Sequence, residues 1–302
     1  MAIPIQPSAA FDPSLLPSGI LWQPRASLTA CLRGSIVRST LGAVLQDDQR
    51  LNHFPATPLC GLSWWFEGSS IALDTSPGKP CDPLSSGQTP MPGQWVLSGP
   101  QTRSTVSWSP QPTHAMMVMF MPDALHLLTG ITPADLTDRL VDARAVFPAE
   151  WLDMCQRVQT ATDDAQRMQL LEDFLEPRWQ ACRPRLPLQY HRYADWAVHL
   201  ALRAAASAPG RSLRQLERRI KRWTGLPLRE LQVMGRAEKA FFATIEAHAQ
   251  GRLAWAQIAA DAGYADQSHL SRITRRYTGH SPEALREGIQ RHESFWVYRL
   301  WM

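Results

Sequence analysis

The chain reads as two domains of different class: an α+β N-terminal domain over residues 1–185 and an all-α C-terminal domain over residues 186–302. Three observations predict the division. In the first half, short runs rich in aromatic and β-branched residues alternate with prolines and glycines, as strands joined by turns do. From Pro122 onward the apolar residues recur at helical spacing instead. Near the C-terminus one basic pattern occurs twice, as LERRIKRWTG from Leu216 and LSRITRRYTG from Leu270, so that the second copy lies 270 − 216 = 54 residues after the first. A length of 302 residues with 44% hydrophobic side chains suffices for two packed cores.

In chain order, the runs CGLSWWF, QWVLS, RSTVSW and HAMMVMFM between Cys60 and Met121 read as strands. The segments DALHLLTG, PADLTDRLVDARAVF, AEWLDMCQRVQ and QRMQLLEDFLEPRWQACR then read as helices, with Thr132-Pro133 and Pro148 as start signals. The first domain is therefore β-rich with a helical annex. Trp64 and Trp65 are neighbours on one strand, so alternation sends one inward and the other outward or into a ligand cavity. Trp95 and Trp108 fall on other strands with access to the same interior. They are candidate effector contacts or packed core side chains. Arg103 is a candidate partner for an anionic ligand or an ordinary surface arginine. Met116, Met117, Met119 and Met121 suit a core, an interface or an adaptable apolar wall.

Both copies of the C-terminal repeat read as basic helices that stop at Thr-Gly, where glycine takes the left-handed conformation that closes a helix. Before the second copy, AQIAADAGYADQSHL spells a short helix buried through Ile258 and Ala259, a turn at Gly263 and Tyr264, and a new helix capped by Asp266 and anchored by Leu270. This is the pattern of a helix-turn-helix. Its outward positions are Gln267, Ser268, Ser271, Arg272 and Arg275. Gln and Arg make paired hydrogen bonds to adenine and guanine edges, and Ser contacts bases or phosphates. Between the copies, PLRELQVMGRAEKAFFATIEAH reads as one long helix. Some 20 residues at about 1.5 Å each span roughly 30 Å, close to the ~34 Å between successive major grooves on one DNA face. Gly235 interrupts it at a cost of about 1 kcal/mol relative to alanine.

The string IAADAGYADQSHLSRITRRYTGHSPEALR resembles the second helix-turn-helix unit of the AraC/XylS transcription regulators, and LRQLERRIKRWTGLPLREL resembles the recognition helix of their first unit. The resemblance covers roughly residues 186–286. It implies a paired helix-turn-helix domain that binds double-stranded DNA, with base contacts from Gln267, Ser268, Ser271 and Arg272 and, by position in the first unit, Arg214, Glu217 and Arg218. Lys221, Arg222, Arg275 and Arg276 are then phosphate contacts. The chain departs from the family in two places. Ile220 and Thr274 stand where a large aromatic residue is usual, so Ile273 or Tyr277 must fill the second unit. HRYADWAVHLALRAAASAPGRS leaves little room for two helices ahead of the first recognition helix, which predicts an abridged first unit. By analogy within the family, the N-terminal domain is expected to be a cupin-like barrel that binds a small effector or forms a homodimer, and a contact with RNA polymerase is a further expected partnership. An effector-independent regulator whose first domain only dimerises is the alternative.

Charge agrees with this division. Residues from 186 onward carry 18 basic against 10 acidic side chains, and those before carry 13 against 17, so the net +4 conceals a basic C-terminal part. Positive charge there releases counterions from DNA. Enzyme readings find less support, and no catalytic residues, cofactor or metal are expected. A metal cupin fused to the DNA-binding part would need close histidines, but His53 and His114, even with Glu67 or Asp74, form no His-x-His pair. Cys31, Cys60, Cys81, Cys155 and Cys182 are scattered without metal-ligand spacing and suit reduced thiols. MAIPIQPSAAFDPS has neither a basic start nor a long apolar core, and no apolar stretch is long enough to span a bilayer, which predicts a cytoplasmic protein. The aromatic tail ESFWVYRLWM is expected to fold back as a packing helix.

Overall fold

The computed structural model describes residues 16–75, 81–184, 192–207 and 212–302. The expected domain boundary at 185/186 and most of the N-terminal MAIPIQPSAAFDPS stretch lie outside the described residues. In chain order the N-terminal region holds β1 (Ser18–Trp22), β2 (Leu32–Ser39), β3 (Leu51–Phe54), β4 (Cys60–Glu67), β5 (Ile71–Leu73), β6 (Gln88–Pro90), β7 (Trp95–Ser98), β8 (Thr105–Trp108) and β9 (His114–Phe120). These are followed by α1 (Pro122–Thr129), β10 (Leu140–Asp142), α2 (Ala149–Thr160) and α3 (Asp164–Cys182). Two antiparallel sheets result, one ordered β1-β2-β9-β4-β7-β10 and the other β3-β8-β5-β6.

Strand alternation gives the larger sheet two different faces. Leu62 lies opposite Val118, and Trp64 opposite both Met116 and Trp95. This face packs against the helical annex, where the fully buried Trp64 indole donates to the Cys155 carbonyl of α2 at 3.2 Å. Burying such a side chain stabilises the fold by roughly 2–3 kcal/mol. On the other face Ser63 lies opposite Met117 and Val96, and Ile36 lies opposite Met117. That face looks across a cavity towards the smaller sheet.

The four strands expected from sequence are β4, β7, β8 and β9. The segment PADLTDRLVDARAVF, expected as a helix, is instead a 3-10 turn at Pro133–Leu136, the edge strand β10 and a second 3-10 turn at Ala143–Ala145. Asp138 takes φ 56°, which breaks the helical run, and Val141 then pairs with Leu97 of β7. A vacant sheet edge outweighed helical spacing.

The C-terminal region comprises α4 (Tyr193–Ala206), α5 (Leu213–Thr224), α6 (Leu228–Ala249), α7 (Trp255–Asp261), α8 (Gln267–Thr278), α9 (Pro282–Arg291) and the short α10 (Trp296–Arg299). The glycines that close α5 and α8 are left-handed, Gly225 at φ 81° and Gly279 at φ 79°. Gly235 has a packing reason to sit inside α6: a Cβ there would lie 3.0 Å from the Ala194 amide nitrogen at the start of α4. The tail folds back as expected. Trp296 and Tyr298 are buried, and the Trp296 indole donates to Asn52 Oδ1 of β3 at 2.8 Å. Among the described residues no helix is long and apolar enough to cross a membrane.

Candidate nucleic-acid interface and cavity

The second unit is built from α7 and α8. Ile258, Ala259, Ala262, Tyr264 and Leu270 form a small core of their own with Ala240 of α6. Asp266 caps α8 by accepting from the His269 amide at 2.7 Å, and the Tyr264 amide bonds to the Ala259 carbonyl at 2.8 Å, which fixes the turn. The helix is thereby held with Gln267, Ser268, Arg272, Arg275 and Arg276 exposed and Ser271 half-buried. Thr274 is half-buried and returns its hydroxyl to the Leu270 carbonyl at 2.9 Å. The volume of the missing aromatic is supplied by Tyr277, 3% exposed, and by the partly buried Ile273. The Tyr277 hydroxyl donates to Glu230 Oε1 at 2.7 Å, and burial pushes its pKa upward. Arg276 pairs with the same Glu230 oxygen at 2.7 Å, so one of the proposed phosphate contacts has an internal partner.

The first unit is assembled differently. Among the described residues a single helix, α4, precedes α5, in line with the abridged unit expected from the sequence. Ser212 caps α5, whose Arg214, Glu217, Arg218, Lys221 and Arg222 are all exposed. Its inner face belongs to the N-terminal region: Ile220, Leu226, Trp196 and Leu200 join the same continuous core as the larger sheet and its annex. Asp123, buried in the first turn of α1, accepts from the Trp196 indole at 3.0 Å and pairs with Arg203 at 2.8 Å. Thr137 donates to the Gly225 carbonyl at 3.3 Å.

A cavity of about 470 Å³ runs between the two sheets and reaches α6, α8 and the tail. Of the five effector candidates, only Trp65 lines it. Trp64 and Trp95 lie on the opposite face of the sheet against the annex, where the Trp95 indole donates to Gln159 at 3.1 Å. Trp108 packs on the outer side of the smaller sheet with Leu51, Leu73 and Val106, and Arg103 is exposed. The expectation that Trp95 and Trp108 share the cavity is thus corrected by strand parity. Met116, Met117 and Met119, read from sequence as core, interface or an adaptable apolar wall, do line it, whereas Ile36, Phe54 and Phe241 were missed. The alternation of β2, beginning at its bulge near Gly34, was the signal that could have found them.

Two arginines of β2 tie the cavity wall to the C-terminal region. Arg33 pairs with Glu238 of α6 at 3.1 Å, and Arg38 pairs with Glu293 at 2.6 Å while stacking on Trp296. Burial raises the Glu238 pKa, opposed by the Tyr193 amide and by Arg33. His53 of β3 stacks on Phe295 with centroids 4.6 Å apart and meets His280 at 5.3 Å. Burial, reinforced by His280, pushes its pKa down to about 4. Among the described residues no group of three or more His, Cys, Asp or Glu side chains could hold a metal ion.

The family model for the helix-turn-helix domain matches residues 205–288, which hold α5 to α8 and most of α9. Residues 205–288 are a helix-turn-helix domain of the AraC type. No curated protein sequence matches the chain. Solved structures similar to it include an apo ToxT variant from Vibrio cholerae strain SCE256, at 12% identity over 89% of this chain and 95% of that one, TM-score 0.35. ToxT from Vibrio cholerae in a P21 crystal form is similar at 12% identity over 82% and 95%, TM-score 0.35. Unsaturated fatty acid bound wild-type ToxT from strain SCE256 follows at 12% identity over 77% and 92%, TM-score 0.31. Likenesses this loose bear on neither the fold nor the ligand of this chain. The AraC-type domain rests on its own sequence match and on the α7–turn–α8 geometry.

Proposed function

We propose that the chain is a sequence-specific regulator of transcription that reads double-stranded DNA through its AraC-type domain and responds to a small effector held in its N-terminal domain. The observation that carries DNA reading is the exposed row on α8, where Gln267, Ser268 and Arg272 stand outward from a helix whose opposite side is fixed by its own core. In this reading Gln267, Ser268, Ser271 and Arg272 contact bases in one major groove. Arg214, Glu217 and Arg218 do so in the next, and Lys221, Arg222, Arg275 and Arg276 contact phosphates. The 22 residues of α6 span about 33 Å, which suits adjacent major grooves on one face of the duplex. The functional division proposed is 1–185 for effector binding and 186–302 for DNA binding, although the two share a core.

The cavity supports the effector part. It is largely apolar, of a size that suits a small ligand, and continuous with α6. Selection of bound fragments from a genomic library by the purified protein at two salt concentrations tests the DNA part. Enrichment of a site with two short boxes about one helical turn apart is expected; uniform, salt-sensitive binding to every fragment would refute sequence-specific reading.

A further inference from the structure

We propose that the effector cavity is built for an uncharged ligand, an apolar molecule whose polar atoms are hydroxyl or carbonyl groups rather than a carboxylate; this rests on the reading that the cavity takes an effector at all. Four arginines among the described residues line the cavity, and each is committed elsewhere. Arg33 is paired with Glu238 at 3.1 Å and Arg38 with Glu293 at 2.6 Å. Arg50 directs Nε and Nη1 at the carbonyls of Leu45 and Pro110, at 3.1 and 2.7 Å. Arg286 pairs with Glu283 along α9. Among the described residues no lysine lines the cavity.

A carboxylate entering this space would have to share an arginine with a glutamate already on it, bringing like charges together in a poorly hydrated interior. The remaining polar wall consists largely of uncharged groups. Ser63 stands on the larger sheet's inner face between Met117 and Val96, and Ser107 of β8 lines the same cavity beside Asn52. Hydroxyls of this kind orient a neutral polar atom without demanding a counter-ion. The methionines beside them adapt to apolar shapes. The two glutamates come from α6 and the tail, so the C-terminal region supplies the negative charge that keeps anions out.

The test is calorimetric titration of the full-length protein with a matched pair of probes, 1-decanol and decanoate, at neutral pH. The alcohol is expected to bind at least about tenfold more tightly, a difference of some 1.4 kcal/mol. Ser63→Phe, whose fold is verified by circular dichroism, should abolish binding of both probes. The double variant Glu238→Gln with Glu293→Gln frees both β2 arginines and should narrow or invert the preference. Equal or tighter binding of decanoate to the unmodified protein would overturn the ligand class while leaving the cavity as a binding site. Failure of both probes to bind, or binding unaffected by Ser63→Phe, would overturn the effector reading together with the proposal. A preference unchanged in the double variant would overturn the charge explanation.

Discussion

The two helix-turn-helix units share a repeated sequence but not a way of being held. The second has a small core of its own, in which Ile258, Ala259, Tyr264 and Leu270 close on Ala240 of α6, and of its buried side chains only Tyr277 at the end of α8 joins the N-terminal core. The first has no such core, and α4 and α5 complete theirs with the larger sheet and its annex. Among the described residues only α4 stands ahead of α5 in the first unit, and both pack on the other domain. The position of α5 is therefore set together with the N-terminal domain, whereas the turn between α7 and α8 is set locally and only the end of α8 leans on the N-terminal core.

The largest expected effect comes from breaking the seat of the first unit. Asp123→Ala leaves the fully buried Trp196 indole and the partly buried Arg203 without their acceptor. It should destabilise the protein by about 3 kcal/mol, read as a shift in the denaturation midpoint. Loss of contrast in the first DNA box should accompany it, with the second box retained; equal loss in both would show that the units are not held separately.

Acid should act where β3 packs against His280 and Phe295. His53 stays neutral in the folded protein down to about pH 4, whereas the unfolded chain takes up its proton near pH 6.5, so the unfolded state binds more protons in between. Stability from this site is complete above about pH 6.5 and is lost as pH falls towards 4, by at most about 3 kcal/mol. The groups facing His53 are His280, whose pKa burial also lowers, and the Phe295 ring. Melting curves across this range should flatten in His53→Gln; an unchanged slope would remove His53 as the cause.

Smaller effects separate the units at single residues. Arg272→Ala should cost about 1–3 kcal/mol on the cognate site and relax one base, while an equal loss on random DNA would exclude base reading. Gly225→Ala and Gly279→Ala carry the same left-handed strain of about 1–2 kcal/mol. A Cβ at Gly225, however, also meets Thr137 Oγ1 at 2.9 Å and the Pro133 carbonyl at 3.0 Å, whereas at Gly279 it meets only Ser104 Oγ at 3.2 Å. Gly225→Ala should therefore lower the melting temperature more. Arg276→Ala should have the smallest effect, a reduction of the salt slope by up to about 1, since Arg276 is shared with Glu230.

What was legible in the sequence is local. The Asp266 cap, the turn at Gly263, the glycine stops and the unbroken α6 each depend on residues within a turn or two, and each is legible in the sequence itself. The strands β1, β2, β3, β5, β6 and β10 were not; of these β1, β3, β6 and β10 are sheet edges, which are defined by a neighbour rather than by their own period. Strand parity could say that Trp64 and Trp65 point opposite ways; it could not say which face met the helices. The cavity was illegible for the same reason. Its walls come from both sheets, α6 and the tail, and the pairs that close it, Arg33 with Glu238 and Arg38 with Glu293, are separated by 205 and 255 residues.

The central claim is that α8 reads sequence on its own core while α5 reads from a seat provided by the other domain. Sequencing of library DNA bound by the unmodified protein, by Arg272→Ala and by Asp123→Ala addresses it directly. Two boxes about one helical turn apart are predicted for the first, with Arg272→Ala erasing one base of the second box and Asp123→Ala blurring only the first. A single box, or identical losses in the two variants, would contradict the account.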